Sequence, residues 1–133
     1  MMKISELAKS SGINLETIRY YERLGLITPA KRDVNGYRSF NQVQLDELHF
    51  IKACRTIGFS LDEIRELLAL QANPDNPCQM ADALAKAHLN QIDRQIEQCQ
   101  QIKALLERMV NCHAPDIDHC QIIEGIKKFG NEL

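Results

Sequence analysis

The sequence predicts a mainly α-helical protein: a small winged helix-turn-helix domain, then one long helix, then a short loop closed by a C-terminal helix. Three observations predict it. Two helix–glycine–helix patterns fall within the first seventy residues, around Gly12 and Gly58. Between them, "KRDVNGYRSF" reads as a small hairpin. From about Met80 to Val110 no glycine or proline interrupts the chain. A length of 133 residues suits one compact domain with a helical appendage. The expected organisation is a winged-helix domain over 1–70, a linker over 71–79, the long helix over 80–110, and a loop with a short helix over 111–133.

In "KISELAKSSGINLETIRYYERLGLI" the spacing of Ile4, Leu7 and Ala8 places them on one helical face, and Gly12 supplies a stop. Asn14 is placed to cap a second helix that carries Ile18 and Tyr21, with Gly25 just past its end. Helix, tight turn, helix is the helix-turn-helix spacing. Pro29 blocks helix continuation. The dipeptide Asn35-Gly36 is a strong hairpin signal, so a two-stranded wing bearing Lys31, Arg32, Tyr37 and Arg38 is expected.

Asn41 is a plausible cap for a third helix with Leu45, Leu48, Ile51 and Ile57 as its stripe. Gly58 ends that helix, and Ser60 with Glu63 three residues on forms a capping box for the fourth. The linker "QANPDNPCQM" carries Cys78 next to the long helix. Along that helix apolar or small residues fall at 85, 89, 92, 96, 99, 102, 106 and 109, close to a heptad seam. A helix this long, with a lone apolar seam, is expected to pair with a second copy of the chain. The tail, "IIEGIKKFGNEL", reads as an amphipathic helix with Ile122, Ile123 and Ile126 on its apolar side.

Charge is unevenly spread. Residues 1–65 carry ten Lys/Arg against eight Asp/Glu, and residues 66–133 carry six against ten. Within 19–38 the count is five basic to two acidic, a local patch suited to phosphate in a chain of net charge −2. There is no run of about 18 apolar residues and no signal-peptide pattern, so the expected compartment is the cytoplasm. Thr17, Arg19 and Tyr20 would project from the second helix into a major groove. Arg32, Tyr37 and Arg38 would hold flanking backbone from the wing, with Arg55 as a further phosphate contact. No GxSxG, HExxH, P-loop or GxGxxG motif is present, so an enzyme is not expected.

The five cysteines stand at 54, 78, 99, 112 and 120. An odd number in a reducing compartment favours metal or thiol chemistry over disulfides. Cys54 and Cys99 fall on apolar helical faces and are expected to be packed small hydrophobes. "NCHAPDIDHC" sets Cys112 and Cys120 around Pro115, with His113 and His119 as extra donors. Two thiolates alone suit a monovalent soft ion such as Cu(I); a dication needs further donors. Cys78 is the obvious third, but it lies at the far end of the long helix. In an antiparallel pair of such helices, Cys78 of one copy would meet Cys112 and Cys120 of the other. His88, about three turns beyond Cys78, is a further candidate donor.

Taken together, "IRYYERLGLI", "NGYRSF" and "CRTIGFSLDEIRELL" resemble the MerR family of bacterial transcription regulators, over almost the whole chain. The resemblance implies a winged-helix DNA-binding domain, an antiparallel coiled-coil homodimer and a C-terminal effector loop. It also implies a mechanism. The dimer sits on a promoter whose spacer is too long, and effector binding bends and undertwists that DNA so that RNA polymerase engages both promoter elements. In this family sensors of copper, silver or gold have Ser at the position of Cys78, and sensors of zinc, cadmium, lead or mercury have Cys. A divalent soft ion is therefore expected, cadmium or lead ahead of zinc, since His88 matches a histidine of cadmium and lead sensors. Cys112-His113 stands where close zinc sensors have adjacent cysteines. A thiol-stress switch through Cys54 or Cys112, without metal, is the alternative, and a monovalent copper sensor another.

Overall fold

The computed structural model describes residues 1–133. In chain order it contains α1 (Ile4–Ser11), α2 (Leu15–Arg23), β1 (Lys31–Arg32), β2 (Arg38–Ser39), α3 (Gln42–Ile57), α4 (Leu61–Gln71), α5 (Cys78–Met109), a single 3₁₀ turn (Ile117–His119) and α6 (Gln121–Glu132). The chain divides into two compact units, Met1–Ala85 and Lys86–Leu133.

The first unit is built on one core. Leu7 of α1, Ile18 and Tyr21 of α2, Leu48, Ile51 and Cys54 of α3 and Ile64 of α4 are buried together with Leu26, Ile27, Phe40 and Phe59 from the connections. The helix ends are set locally. Asn14 accepts from Glu16 N–H at the start of α2, and Gly12 closes α1 at φ +71°. Ser60 and Glu63 form the expected capping box of α4. Asn41 and Gln44 form a second one at α3 that the sequence reading gave only as a cap.

The wing is an antiparallel pair in the register Lys31↔Ser39 and Arg32↔Arg38. Its tip is longer than a two-residue Asn-Gly turn. A turn of that kind requires positive φ at both central residues, and here only Gly36 has it, at φ +81°. The reason is Asp33: its carboxylate accepts from the N–H groups of Asn35 and Tyr37, a side-chain-closed turn that spans residues 33–37. The strand side is also extended by the N-terminus, because Met2 and Phe40 exchange two backbone hydrogen bonds of 2.6 and 2.7 Å.

Helix α5 begins at Cys78 itself, two residues earlier than expected, and the linker shortens to residues 72–77. Its 32 residues rise about 48 Å. Leu89, Ile96, Cys99, Ile102 and Leu106 lie exposed along it, as does Val110 just past its end. Cys99 is thus not packed within its own chain, contrary to expectation. Met109, placed on the seam by spacing, is buried instead, under α6. Gly125 makes that contact possible, since a Cβ there would come within 3.1 Å of Met109 Sδ. Asn111 terminates α5 in the left-handed conformation, φ 63°, which asparagine tolerates better than most residues. No helix is long and apolar enough to cross a membrane.

Candidate metal centre and nucleic-acid interface

The loop after α5 gathers two of the expected ligands. Asn111 turns the chain away from α5, and the 3₁₀ turn and α6 bring it back, so that Gln121 N–H donates to Cys112 Sγ at 3.3 Å. Cys112 also accepts from Ala114 N–H and adjoins the Cys120 thiol. The donation from Gln121 is the largest influence on the thiol, followed by that from Ala114. Together they hold it below the ordinary cysteine value against a small opposing effect of burial. Both thiols are half-exposed. A thiolate favoured by N–H donors, open to solvent and beside a second sulfur, fits a thiophilic cation.

The neighbouring donors are unequal. His119 sits on the 3₁₀ turn, with its Nδ1 2.6 Å from Asp116 Oδ1 and its backbone N–H donating to the same oxygen. A carboxylate on Nδ1 leaves Nε2 as the nitrogen available to a ligand. His113 is exposed on the preceding segment. Asp116, which orients His119, was not singled out by sequence; the signal was its spacing of three residues from the histidine.

The other two expected ligands lie elsewhere. Cys78 is exposed at the first position of α5. His88 is buried on the same helix. Ten residues separate them, about 15 Å of helical rise, so the two cannot hold one ion from one helix. No three His, Cys, Asp or Glu side chains of a single chain converge as a metal-binding group. At this loop one chain brings two thiols together, those of Cys112 and Cys120. Cys54 takes no part: it is in the core, and burial pushes its thiol up.

The nucleic-acid candidates occupy α2, the wing and the end of α3. On α2, Thr17 is half-buried while Arg19 and Tyr20 are exposed. Lys31, Arg32, Tyr37 and Arg38 are all exposed on the wing. Several guanidinium groups already have work within the fold. Arg32 donates to Gly36 O at 2.8 Å and braces the wing tip. Arg55 donates to Phe59 O at 3.2 Å across the α3–α4 turn. Arg38 is paired with Glu22 at 2.5 Å. Each retains further N–H donors, so these contacts orient the side chains as well as occupying them. Sequence reasoning overlooked Glu22 and Arg23, which line one small cleft with Arg19, Pro29 and Arg38.

Comparison with known proteins gives matches over nearly the whole chain. The family described as "MerR HTH family regulatory protein" matches residues 2–71, and "MerR, DNA binding" matches residues 45–109. A "probable heavy metal-dependent transcriptional regulator" of Haemophilus influenzae is 41% identical over 126 residues, covering 94% of this chain and 98% of that one. Among solved structures, a lead(II)-bound transcription regulator from Ralstonia metallidurans CH34 is similar at a TM-score of 0.81 and 32% identity, covering 95% of this chain and 99% of the other. The mercury(II)-bound dual-function regulator MerR from Bacillus megaterium MB1 is similar at 0.71 and 36%, with the same coverage of 95% and 99%.

Proposed function

Because this chain belongs to the MerR family of helix-turn-helix transcriptional regulators, we propose that it is a heavy-metal-responsive regulator of its own cell's promoters. In this reading it binds promoter DNA as a homodimer and activates transcription when a divalent soft ion, cadmium, lead or zinc, is present. The observation that carries the reading is the two-thiol half-site. Cys112 and Cys120 adjoin each other in one chain, while Cys78 stands exposed at the start of α5. A dication held by two thiolates needs further donors, and an antiparallel pairing of α5 would bring the partner's Cys78 to the loop as the third. The exposed apolar stripe on α5 supports the pairing: its side chains are about half exposed, so burying the remainder contributes roughly 1 kcal/mol each. The lead- and mercury-bound relatives support a divalent ion.

The roles divide by position. When bound, the ion supplies the positive charge that holds thiolates of two chains together. Cys112, Cys120 and Cys78 of the second copy ligate, and His119, oriented by Asp116, stands ready as a further donor with His113 beside it. Arg19, Tyr20 and Thr17 on α2 face a major groove, and Lys31, Arg32, Tyr37, Arg38 and Arg55 hold flanking phosphates. Activation requires tighter binding of the ion to the conformer that distorts the promoter than to the one that does not. The output is DNA deformation, which lets RNA polymerase engage.

Metal titration of the reduced protein with promoter transcription as readout tests this. Cys112→Ser should lose both binding and response to Cd, Pb and Zn. Equal binding by wild type and the variant would end the sensor reading. A monovalent reading has one observation in its favour, that two thiols adjoin within one chain, as Cu(I) prefers. Cys78→Ser separates the two: it should abolish the response to a dication and leave a Cu(I) response intact.

A further inference from the structure

The cleft between α2 and the wing holds three arginines, and each has its own partner. Arg19 Nη1 is 2.9 Å from Glu16 Oε1, one turn back on α2. The Arg23 guanidinium lies 5.8 Å from the centre of the Tyr20 ring. Arg38, from the other wall, is paired with Glu22 at 2.5 Å. The cleft has a volume of about 370 Å³ and is lined by Arg19, Glu22, Arg23, Pro29 and Arg38.

Glu22 differs from the other acidic residues of this surface. Its side chain is only 8% exposed, against 54% for Arg38 and 72% for Glu16. Both of its oxygens are engaged, Oε1 by Arg38 and Oε2 by the N–H of Ala30 at 2.7 Å. It therefore ties α2 at once to the segment that enters the wing and to the strand that leaves it. The buried carboxylate end and the half-exposed guanidinium end make a pair whose positive side faces outward.

We propose that Glu22 is a positioning residue: it holds Arg38 in the orientation in which Arg38, Arg19 and Arg23 together receive one backbone phosphate of DNA. This rests on the DNA-binding reading above. A free arginine must lose the freedom of its long side chain when it meets a phosphate, whereas Arg38 has lost it beforehand, with the remaining donors of its planar fork turned outward. The negative charge of Glu22 is already compensated by Arg38, so its repulsion of a phosphate is the smaller effect.

Salt titrations of full-length protein on a mixed-sequence duplex, read by fluorescence anisotropy, test the proposal. Glu22→Gln keeps an oxygen for Ala30 N–H but releases the guanidinium. It should bind on the order of tenfold more weakly and with a salt slope shallower by about 1.8, the loss of one phosphate contact in each of the two protomers. Arg38→Gln should do the same, and the double variant should be no worse than either single. A merely structural Glu22 would change the melting temperature and leave the slope alone. Unchanged or tighter binding by Glu22→Gln with the wild-type slope, or effects that multiply in the double variant, would overturn the proposal. Arg23→Gln, on an exposed side chain that does not endanger folding, should also flatten the slope, by up to about 1.8 for the two protomers; an unchanged slope counts against the shared cleft. Absence of salt-dependent binding by wild type would instead remove the DNA reading itself and this proposal with it.

Discussion

At Cys112 the chemistry is set by backbone as much as by side chains. The N–H of Gln121 donates to the sulfur, and Gln121 is the first residue of α6. The first helical position tolerates proline, whose missing N–H costs the helix nothing there. The preceding residue, Cys120, has φ −72° and ψ 121°, an extended conformation that proline also accepts. Gln121→Pro should therefore leave α6 in place and remove a donor that holds the Cys112 thiol below its ordinary value, the proline ring displacing the sulfur from the helix start as it does so. The sign follows: with the donor gone the pKa rises, the thiolate fraction at neutral pH falls, and the thiol reacts more slowly. Alkylation of Cys112 by iodoacetamide at pH 7, in a Cys78→Ser, Cys99→Ser and Cys120→Ser background, should slow by a few-fold, roughly in step with thiolate content. An unchanged rate would mean that the hydrogen bond from Gln121 does not govern this sulfur.

At the level of the elements, legibility in the sequence followed how local the cause was. Asn14, Asn41 and Ser60 act within three residues of themselves, and all three caps stand where the spacing put them. The wing tip was read too short because Asp33 closes it through its side chain, a choice that the Asn-Gly signal conceals. Glu22 was missed because its arginine lies sixteen residues away, beyond any local pattern. On α5 the heptad spacing identified the stripe but misassigned Met109, since α6 covers that position and no property of α5 alone says so. The stripe that remains has a testable consequence. Ile96 is 51% exposed in its own chain, so replacing it removes little intrachain packing. Ile96→Glu should leave the first unit folded and convert a dimer to monomer, measured by sedimentation equilibrium. A charge buried on a paired apolar seam is strongly unfavourable. Retention of the dimer by this variant would place the pairing surface elsewhere.

For the whole molecule the decisive property is that one chain carries only part of the proposed centre. Cys78 begins a helix of 32 residues, and Cys112 and Cys120 lie in the segment that follows that helix. If the third sulfur comes from a second copy, the two kinds of damage are complementary. A Cys78→Ser homodimer lacks the third ligand at both centres, and a Cys112→Ser homodimer lacks a loop ligand at both. A dimer of one Cys78→Ser chain with one Cys112→Ser chain contains one centre in which every damaged position coincides and one in which none does. The loop of the Cys78→Ser chain is intact, and it meets the intact Cys78 of the Cys112→Ser chain. Co-expression with two affinity tags, followed by purification of the mixed dimer, should therefore restore one tight cadmium or lead site per dimer, where each homodimer has none. Tightness should be judged against wild type by competition with a chromophoric chelator. Assembly of the site within a single chain predicts no rescue, because every chain in the mixture is then damaged. Rescue of binding also isolates the activation step: a dimer with one loaded centre asks whether a single centre shifts the promoter-distorting equilibrium, or whether both are required. With two equal centres each contributing half the differential binding energy, transcription from the mixed dimer should fall between that of the wild type and that of either homodimer.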